Sequence, residues 1–321
     1  MKLESILSPV ESEIPLVAER LREVGDMDFP QFAQIIEQAI GNSGKGIRPA
    51  LTLLSGQINR YDRTCLVPMS AAVELLHVAS LVHDDAIDKS PLRRGLPTLY
   101  SVWGGSAATI AGDYLFARSA ELAAEPGNLR VVRLFARTLM LLAKGELEED
   151  LTVYEWNQSR QDYFRRIDGK TAALFAMATE SGAILSNGSE TTVESLREYG
   201  RNLGLAFQVV DDLLDFTGEE ETMGKPVGND LLQGVLTLPA ILYVEQHPNG
   251  ELIKRGFDAR GDGLELGQAI AEIRESTFID KSFAIARELV DKAQQAIQPL
   301  PDSGAKRALI ELTLYVLERN K

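Results

Sequence analysis

The stretch LVHDDAIDKSPLRRGLPT, residues 81–98, places three aspartates and two arginines directly after an apolar segment. Asp84 and Asp88 are four residues apart, so on a helix they share one face, with Asp85 to one side. Unneutralised like charges at this spacing destabilise a helix. The stretch therefore indicates either a solvated acidic helix end or a site that binds cations.

A second stretch repeats the pattern. VVDDLLD, residues 209–215, carries Asp211, Asp212 and Asp215 at the end of another apolar run. Because both runs are apolar, we expect both helix ends to reach the protein interior and to face each other across a cavity. Carboxylate oxygens in a chain with only three histidines favour Mg²⁺ over Zn²⁺. Since Mg²⁺ is usually completed by substrate phosphates, the repeat predicts a phosphate-bearing substrate.

Hydrophobic periodicity predicts helices almost throughout the chain. In residues 129–147, Val132, Phe135, Leu139 and Leu142 recur at three- and four-residue steps, as on one buried helix face. Turn-rich segments separate helices of ordinary length, and none is typical of a flexible linker. We predict a single all-α domain over residues 1–321. The other helical stretches are 66–88, 107–124, 161–186, 193–216, 235–246 and 283–297.

Composition excludes several classes of protein. The net charge of −14 argues against a general nucleic-acid or anionic-membrane binder. The one cysteine, Cys65, allows no intramolecular disulfide, and the N-terminal residues lack the features of a signal peptide, so we expect a cytoplasmic protein. No apolar run is expected to reach the roughly 18 residues that a membrane span needs.

Basic residues cluster in four turn-rich motifs. GKGIRP contains Lys45 and Arg48, and PLRRG contains Arg93 and Arg94. The other two motifs are DGKT, with Lys170 and Thr171, and MGKP, with Lys225. GKT is not a nucleotide-binding P-loop, because the required earlier glycine falls at Phe164 and no strand precedes it. A local basic pocket of this kind would offset the negative net charge around a phosphorylated ligand.

These motifs together resemble the all-trans polyprenyl diphosphate synthases, which are chain-elongating prenyltransferases. The resemblance covers about residues 41–240 and follows the family's order and spacing. It implies an antiparallel helical bundle around a deep central cavity (the isoprenoid synthase fold), in a homodimer. It also implies Mg²⁺-dependent condensation of isopentenyl diphosphate with an allylic prenyl diphosphate. The motifs are GKGIRP, ELLHVASLVHDDAIDKSPLRRG, GKT, FQVVDDLLD and GKPVGNDLLQGVLTLP.

The resemblance also assigns roles to residues. Asp84, Asp88 and Asp211 would hold Mg²⁺ on the allylic diphosphate, and Asp85, Asp212 and Asp215 would complete or support this metal site. Arg93, Lys170 and Lys225 would contact the same diphosphate, with Thr171 and Gln208 beside it. The second, non-allylic diphosphate would bind without metal to Lys45, Arg48, His77 and Arg94.

The chain has three histidines and one departure from the family pattern near the predicted site. His77, in ELLH, is predicted to be a ligand, although a histidine on an apolar helix is often only a core residue. His83 is predicted to pack or to support the first cluster, and His247 to be structural. In DLLQGV, residues 230–235, Val235 follows the glycine where many relatives, especially short-chain ones, have a lysine. We therefore expect the allylic diphosphate to lose one contact.

Product length is predicted from the residues one turn before Asp84. Ala79 and Ser80 are small, whereas bulky aromatics in relatives block the tunnel at these positions. The open tunnel predicts a product longer than geranylgeranyl diphosphate, hexaprenyl to nonaprenyl, with Phe135 or Leu139 as a tunnel floor. The alternative is that both residues are small only to allow close helix packing.

Several alternatives stay open at this point. A terpene cyclase or head-to-head synthase is disfavoured by Lys45, Arg48 and Arg94, which indicate a metal-free basic subsite. A non-catalytic subunit of a heteromeric synthase is disfavoured because both aspartate clusters are intact. A short-chain farnesyl or geranylgeranyl synthase is the other alternative. An acidic calcium-binding helical protein leaves the paired basic residues unexplained.

Overall fold

The computed structural model describes residues 2–41, 44–218, 226–260 and 263–319. About 77% of the protein is helical, and the stretches that periodicity predicted to be helical each correspond to one helix, except residues 161–186. That stretch forms two helices joined by a π-helical turn. In chain order the helices are α1 (Leu3–Ile6), α2 (Ile14–Glu23), α3 (Pro30–Gly41), α4 (Ile47–Gln57), α5 (Arg63–Ile87), α6 (Leu99–Trp103), α7 (Gly105–Ala124), α8 (Leu129–Leu151), α9 (Arg160–Ile167), α10 (Ala173–Leu185), α11 (Glu190–Thr217), α12 (Asn229–Leu232), α13 (Leu238–Gln246), α14 (Glu251–Asp258), α15 (Gly263–Glu275), α16 (Phe278–Ile297) and α17 (Gly304–Glu318). A 3₁₀ turn occupies Ser8–Val10, and a π-helical turn, Asp168–Ala172, joins α9 to α10.

The described residues group into two compact units. Unit 1 takes those within Met1–Thr138, Leu174–Gly200 and Ile297–Leu312, and unit 2 takes those within Leu139–Ala173, Arg201–Ala296 and Thr313–Lys321. Each unit is assembled from segments that are distant in the sequence. The single domain expected from the sequence stays a prediction.

The core of unit 1 is built around α5. Asp62 caps this helix, its side chain accepting a hydrogen bond from the Thr64 backbone N–H at 3.0 Å. α5 packs along α7, and the missing side chain of Gly112 makes room for the His83 ring, which a Cβ would meet at 2.1 Å. The His83 ring also packs edge-on against Phe116 at 5.0 Å between ring centroids. The predicted packing role of His83 agrees with these contacts.

The expectation that no apolar run is long enough to span a membrane was wrong in one respect. The helix Arg63–Ile87 contains an 18-residue window that meets the length and composition requirements. However, 83% of that window is buried inside the protein. Length and composition alone are therefore weak evidence for a span here.

The buried face of α8 differs by one residue from the predicted face. Phe135 and Leu142 are buried as expected, but Val132 is exposed and its neighbour Val131 is buried instead. Leu139, the other predicted core residue, is half-buried. A second row of large apolar side chains on α8 is exposed, comprising Leu129, Met140, Leu141, Leu147 and Leu151.

The two strands of the described chain form one small hairpin after α5. β1 (Leu92–Arg93) pairs antiparallel with β2 (Leu96–Pro97), with Leu92 opposite Pro97 and Arg93 opposite Leu96. Arg94 and Gly95 form the two-residue connection, and both have a positive φ, at 54° and 77°. Two positive φ angles are the signature of a type I′ turn, which fits the twist of a hairpin. The hairpin therefore sets the directions of the paired arginines.

Candidate active site

The first acidic cluster lies at the C-terminal end of α5. Asp84 is half-buried, Asp85 is buried, and Asp88 is the exposed C-cap residue, one turn beyond Asp84 as predicted. The Arg93 Nε donates to the Asp85 Oδ1 at 2.8 Å, so the hairpin is tied back to the helix by a charged hydrogen bond. Burial raises the pKa of Asp85, and Arg93 opposes that shift. Asp85 thus binds an arginine, which leaves Asp84 and Asp88 as the more accessible carboxylates.

The second predicted diphosphate subsite lies entirely in unit 1. Gly46, which has φ +67°, precedes α4, so the Gly-rich turn brings exposed Lys45 and half-buried Arg48 to the start of this helix. The Arg94 guanidinium lies against Gly44, where a Cβ would be 3.1 Å from its Nη2. A side chain at position 44 would therefore require the Arg94 guanidinium to move by a few tenths of an ångström.

A buried carboxylate, Glu74, belongs to this basic group and was missed in the sequence analysis. It is buried on α5, and Arg48 and Arg94 are close enough to oppose the rise in pKa that burial causes. The Gly44 backbone also hydrogen-bonds to this carboxylate. Glu74 is the one charged residue within the apolar run LVPMSAAVELLHVASLV, and that isolation was the available signal. Glu74 therefore adds a buried negative charge near Arg48 and Arg94.

His77 is the remaining member of the basic group, and the structure indicates its charge state. Burial lowers its pKa well below the ordinary value, and the nearby Arg48, Arg94 and Arg93 lower it further. His77 is therefore neutral at physiological pH and can offer one ring N–H to a phosphate oxygen.

We expect the ring signals of His77 to keep constant chemical shifts between pH 8 and pH 6, because the imidazole does not protonate in this range. The measurement is a proton–carbon NMR titration, with the His77 signal assigned by its loss in the His77→Gln variant. A midpoint near the ordinary histidine pKa of about 6.5 would contradict the lowering of this pKa by burial and by the nearby arginines.

The second acidic cluster lies at the C-terminal end of α11, in unit 2. Asp211 is exposed, whereas Asp212 and Asp215 are only 4% and 2% exposed. The Asp215 Oδ2 accepts a hydrogen bond from the Asp230 backbone N–H at 3.0 Å. Arg319 Nη2 lies 3.4 Å from the Asp211 Oδ1, and its guanidinium stacks on the Phe207 ring. Asp211 is thus the most accessible acid of this cluster.

Lys170 and Thr171 lie in the π-helical turn that joins α9 to α10. Such turns insert one extra residue into a helix and are frequent at functional sites. A helix, α9, precedes the GKT motif, in agreement with the exclusion of a P-loop. Gly145 and Gly169 allow α8 and the turn to approach closely, since a Cβ on Gly145 would lie 2.5 Å from the Lys170 backbone nitrogen.

This close approach places two acids of α8 on the Lys170 ammonium group. The Lys170 Nζ lies 2.9 Å from the Glu146 Oε2 and 2.5 Å from the Glu149 Oε1. Neither glutamate was predicted from the sequence, because both belong to a run of acids that is typical of a solvated helix face. Lys170, which was predicted to bind the diphosphate, is thus held by two carboxylates in this structure.

Thr171 and Gln208, predicted to lie beside the allylic diphosphate, form one hydrogen-bonded chain with Asp212. The Thr171 hydroxyl donates to the Gln208 Oε1 at 2.6 Å, and the Gln208 Nε2 donates to the Asp212 Oδ1 at 2.8 Å. The Tyr163 hydroxyl donates to the other oxygen, Oδ2, at 2.6 Å. Burial raises the pKa of Asp212 to about 8, although the hydrogen bonds from Tyr163 and Gln208 lower it.

Aspartate and glutamate side chains are the natural ligands for a hard divalent cation in this chain. Within the part of the chain that the structure describes, no three His, Cys, Asp or Glu side chains gather closely enough to hold a metal by themselves. Mg²⁺ binds carboxylate oxygens, keeps several waters and takes further ligands from phosphates. The oxygen donors of Asp84, Asp88 and Asp211 are thus of the type that suits Mg²⁺.

The remaining predicted residues are placed as follows. Ala79 is fully buried on α5, and the half-buried Ser80 donates its hydroxyl to the His77 carbonyl at 2.8 Å. Val235 is half-buried, and its N–H donates to the Asp230 carbonyl at 2.8 Å. Lys225 lies outside the described residues. His247 stacks on the Tyr243 ring at 4.6 Å, as a structural residue would.

Comparison with known proteins assigns the family. The profile of the family described as polyprenyl synthetase matches residues 29–270. A relative, the heptaprenyl diphosphate synthase component 2 of Geobacillus stearothermophilus, is 37% identical over 323 residues, and the alignment covers 100% of both chains.

Two solved structures are similar along the whole chain. The decaprenyl diphosphate synthase from Rhodobacter capsulatus has a TM-score of 0.93 at 33% identity, with 100% of both chains covered. A polyprenyl synthase from Caulobacter crescentus, complexed with calcium and isoprenyl diphosphate, has a TM-score of 0.93 at 32% identity, with 100% of this chain and 98% of that chain covered. The protein is thus an all-α prenyltransferase with the isoprenoid synthase fold. It belongs to the polyprenyl synthetase family.

These comparisons confirm the resemblance found in the sequence, including the fold class and the chain-elongating reaction. The roles of individual residues stay predictions. The residues predicted for the non-allylic diphosphate lie in unit 1, with the first acidic cluster. Lys170, Thr171, Gln208 and the second acidic cluster lie in unit 2.

Proposed function

We propose that this prenyltransferase extends an allylic diphosphate with isopentenyl diphosphate to an all-trans product longer than geranylgeranyl diphosphate. The observation that carries the proposal is the small size of Ala79 and Ser80, one turn before the first acidic cluster. The names of the heptaprenyl and decaprenyl relatives support the same product class. Hexaprenyl to nonaprenyl remains the proposed range.

The hydroxyl of Ser80 supports an apolar path. Because it donates to the His77 carbonyl of its own helix, its polarity is satisfied locally and does not require water. A serine in this state and an alanine are both compatible with an adjacent hydrocarbon chain. Phe135, which is buried, and Leu139, which is half-buried, are the proposed candidates for the tunnel floor.

The two diphosphates would use different side chains. Lys45, Arg48, His77 and Arg94 would hold isopentenyl diphosphate, with neutral His77 donating one hydrogen bond. Lys170 and Arg93 would release their carboxylate partners and bind the allylic diphosphate. The cofactor would be Mg²⁺, held with this diphosphate by Asp84, Asp88 and Asp211. When bound, the ion offsets the negative charge that develops on the leaving diphosphate.

The product class is tested by incubating the purified protein with labelled isopentenyl diphosphate and farnesyl or geranylgeranyl diphosphate. Product length is then measured by chromatography. Products of six to nine isoprene units are expected. A product that stops at farnesyl or geranylgeranyl diphosphate would favour the short-chain alternative and would leave the reaction class unchanged.

We expect Ala79→Phe to shorten the product by several isoprene units, because an aromatic ring replaces a methyl group beside the proposed path of the tail. The Ala79→Ser variant is the matched control and should keep the wild-type product length. Melting curves of both variants show whether overpacking, which costs about 1–3 kcal/mol, has disturbed the fold. A folded Ala79→Phe variant with an unchanged product would contradict the tunnel and favour a packing role.

The assembly is proposed to be a homodimer in the cytoplasm. Large exposed apolar side chains such as Met140, Leu147 and Leu151 indicate that a protein partner covers α8. The name of the heptaprenyl synthase component 2 raises the alternative of a second, different chain. Light scattering of the pure protein, combined with an activity assay, distinguishes a homodimer from a complex with a different chain. A dimeric active protein supports the homodimer, and a protein that is inactive alone supports the heteromer.

A further inference from the structure

Tyr163 hydrogen-bonds to the second acidic cluster, and the predicted substrate contacts do not include it. It lies on α9, is fully buried, and donates its hydroxyl to the Asp212 Oδ2 at 2.6 Å. The Asp212 Oδ1 accepts from the Gln208 Nε2 at 2.8 Å, so both carboxylate oxygens of Asp212 are engaged by protein donors. Asp212 therefore serves as an internal acceptor, in contrast to the exposed Asp211 beside it.

The Tyr163 ring is itself held in place by several contacts. The Arg166 guanidinium lies over the ring at 5.8 Å from its centroid and donates to the Leu236 carbonyl at 2.7 Å. At the start of α9, Ser159 and Asp162 form a capping box that determines where the helix begins. The hydroxyl of Tyr163 is thus presented from a capped helix whose Arg166 covers the ring, as a supporting residue of a functional site requires.

The same segment contacts α11 at a second point. Thr171 donates to the Gln208 Oε1 at 2.6 Å, which orients the amide so that its Nε2 donates to Asp212. Tyr163 and Thr171 therefore hold Gln208 and Asp212, four residues apart on α11, from one continuous segment. Lys170 lies on that segment between them, next to Thr171. Lys170 therefore lies on a segment that is hydrogen-bonded to α11 at Tyr163 and at Thr171.

We propose that Tyr163 is a positioning residue for the allylic diphosphate, acting through Asp212, which anchors α11 and does not bind the metal directly. This inference rests on the proposed role of Lys170 and Asp211 at that diphosphate. Loss of the Tyr163 hydroxyl lets the C-terminal end of α11 shift relative to Lys170. Mutation of a residue that only supports metal ligands typically lowers metal affinity or activity by roughly 10- to 100-fold.

The test compares Tyr163→Phe with Tyr199→Phe. Tyr199 is also fully buried, and its hydroxyl donates to the Leu309 carbonyl at 2.7 Å in unit 1, so each variant loses one buried hydrogen bond. We expect both variants to melt at similarly lowered temperatures. For Tyr163→Phe alone, the KM for the allylic diphosphate and the Mg²⁺ concentration at half-maximal rate should rise by about tenfold. The KM for isopentenyl diphosphate should stay within about twofold of wild type in both variants.

The possible outcomes separate this inference from the proposed function. Identical kinetics of the two variants, with an active wild type, would overturn the positioning role and leave the function standing. A wild type that does not use allylic diphosphates would overturn the function itself. Should Tyr163→Phe not fold, Thr171→Val takes its place, with Thr179→Val as the control. The Thr179 hydroxyl is buried and donates to the Leu196 carbonyl at 2.6 Å. Thr171→Val, but not Thr179→Val, is then expected to raise the KM for the allylic diphosphate.

Discussion

Replacing either accessible aspartate, by Asp84→Ala or Asp211→Ala, is expected to lower turnover by at least about 100-fold. The reason is that each substitution removes a carboxylate that would hold Mg²⁺ against the allylic diphosphate. Even the loss of a residue that only supports a metal ligand typically lowers metal affinity or activity by roughly 10- to 100-fold. Asp211 is exposed and Asp84 is half-buried, so neither truncation leaves a cavity in the core. The measurement is steady-state turnover at saturating concentrations of both substrates and Mg²⁺.

The matched control is Asp291→Ala, which removes an exposed carboxylate from α16 and should leave turnover unchanged. Chelation of the wild type with excess EDTA should abolish turnover, and added Mg²⁺ should restore it. Full activity in EDTA, or in the Asp84→Ala variant, would show that the acidic clusters do not act through a metal.

The second prediction is that variants of the two proposed diphosphate subsites affect the KM of different substrates. Arg94→Ala is expected to raise the KM for isopentenyl diphosphate by roughly 10- to 100-fold, the size of one lost hydrogen bond to a charged group. Lys170→Ala should instead raise the KM for the allylic diphosphate. In that variant Glu146 and Glu149 also lose their ammonium partner, and their negative charges would repel the incoming diphosphate. Initial rates with each substrate varied in turn give the two constants.

Conservative variants sharpen this comparison. Arg94→Lys keeps the charge but loses the planar fork, so it should recover only part of the affinity for isopentenyl diphosphate. Arg307→Ala, at an exposed position on α17, should change neither constant. If Arg94→Ala and Lys170→Ala moved both constants by equal factors, the division into two subsites would be wrong.

Much of the fold could be predicted because its signals are local. A helix that buries one face needs apolar residues every three or four positions, and this period is readable in the chain without any tertiary information. The limit of that signal is visible on α8, where Val131 is buried and Val132 is exposed. Two adjacent valines fit the same period equally well, and only the neighbouring elements decide which of them faces inward.

The candidate metal ligands were also readable from the sequence, because their pattern lies within one helical turn. The spacing of Asp84 and Asp88, repeated by Asp211 and Asp215, places each pair on one helix face. The basic motifs added the chemistry of a phosphorylated substrate. The combination of acidic and basic motifs is specific enough to indicate the family from the amino-acid sequence alone.

The tertiary structure decided which of the charged residues pair with each other. Glu74 lies near two arginines, Lys170 contacts two glutamates, and Tyr163 hydrogen-bonds to Asp212. In each case the residues lie far apart in the chain or on different elements. The π-helical turn at Lys170 carries no local sequence mark that the periodicity could detect. Local patterns report which face of a helix a side chain occupies. The identity of its partner depends on the approach of another element, which here depends on glycines such as Gly145, whose missing Cβ lets α8 reach the turn that carries Lys170.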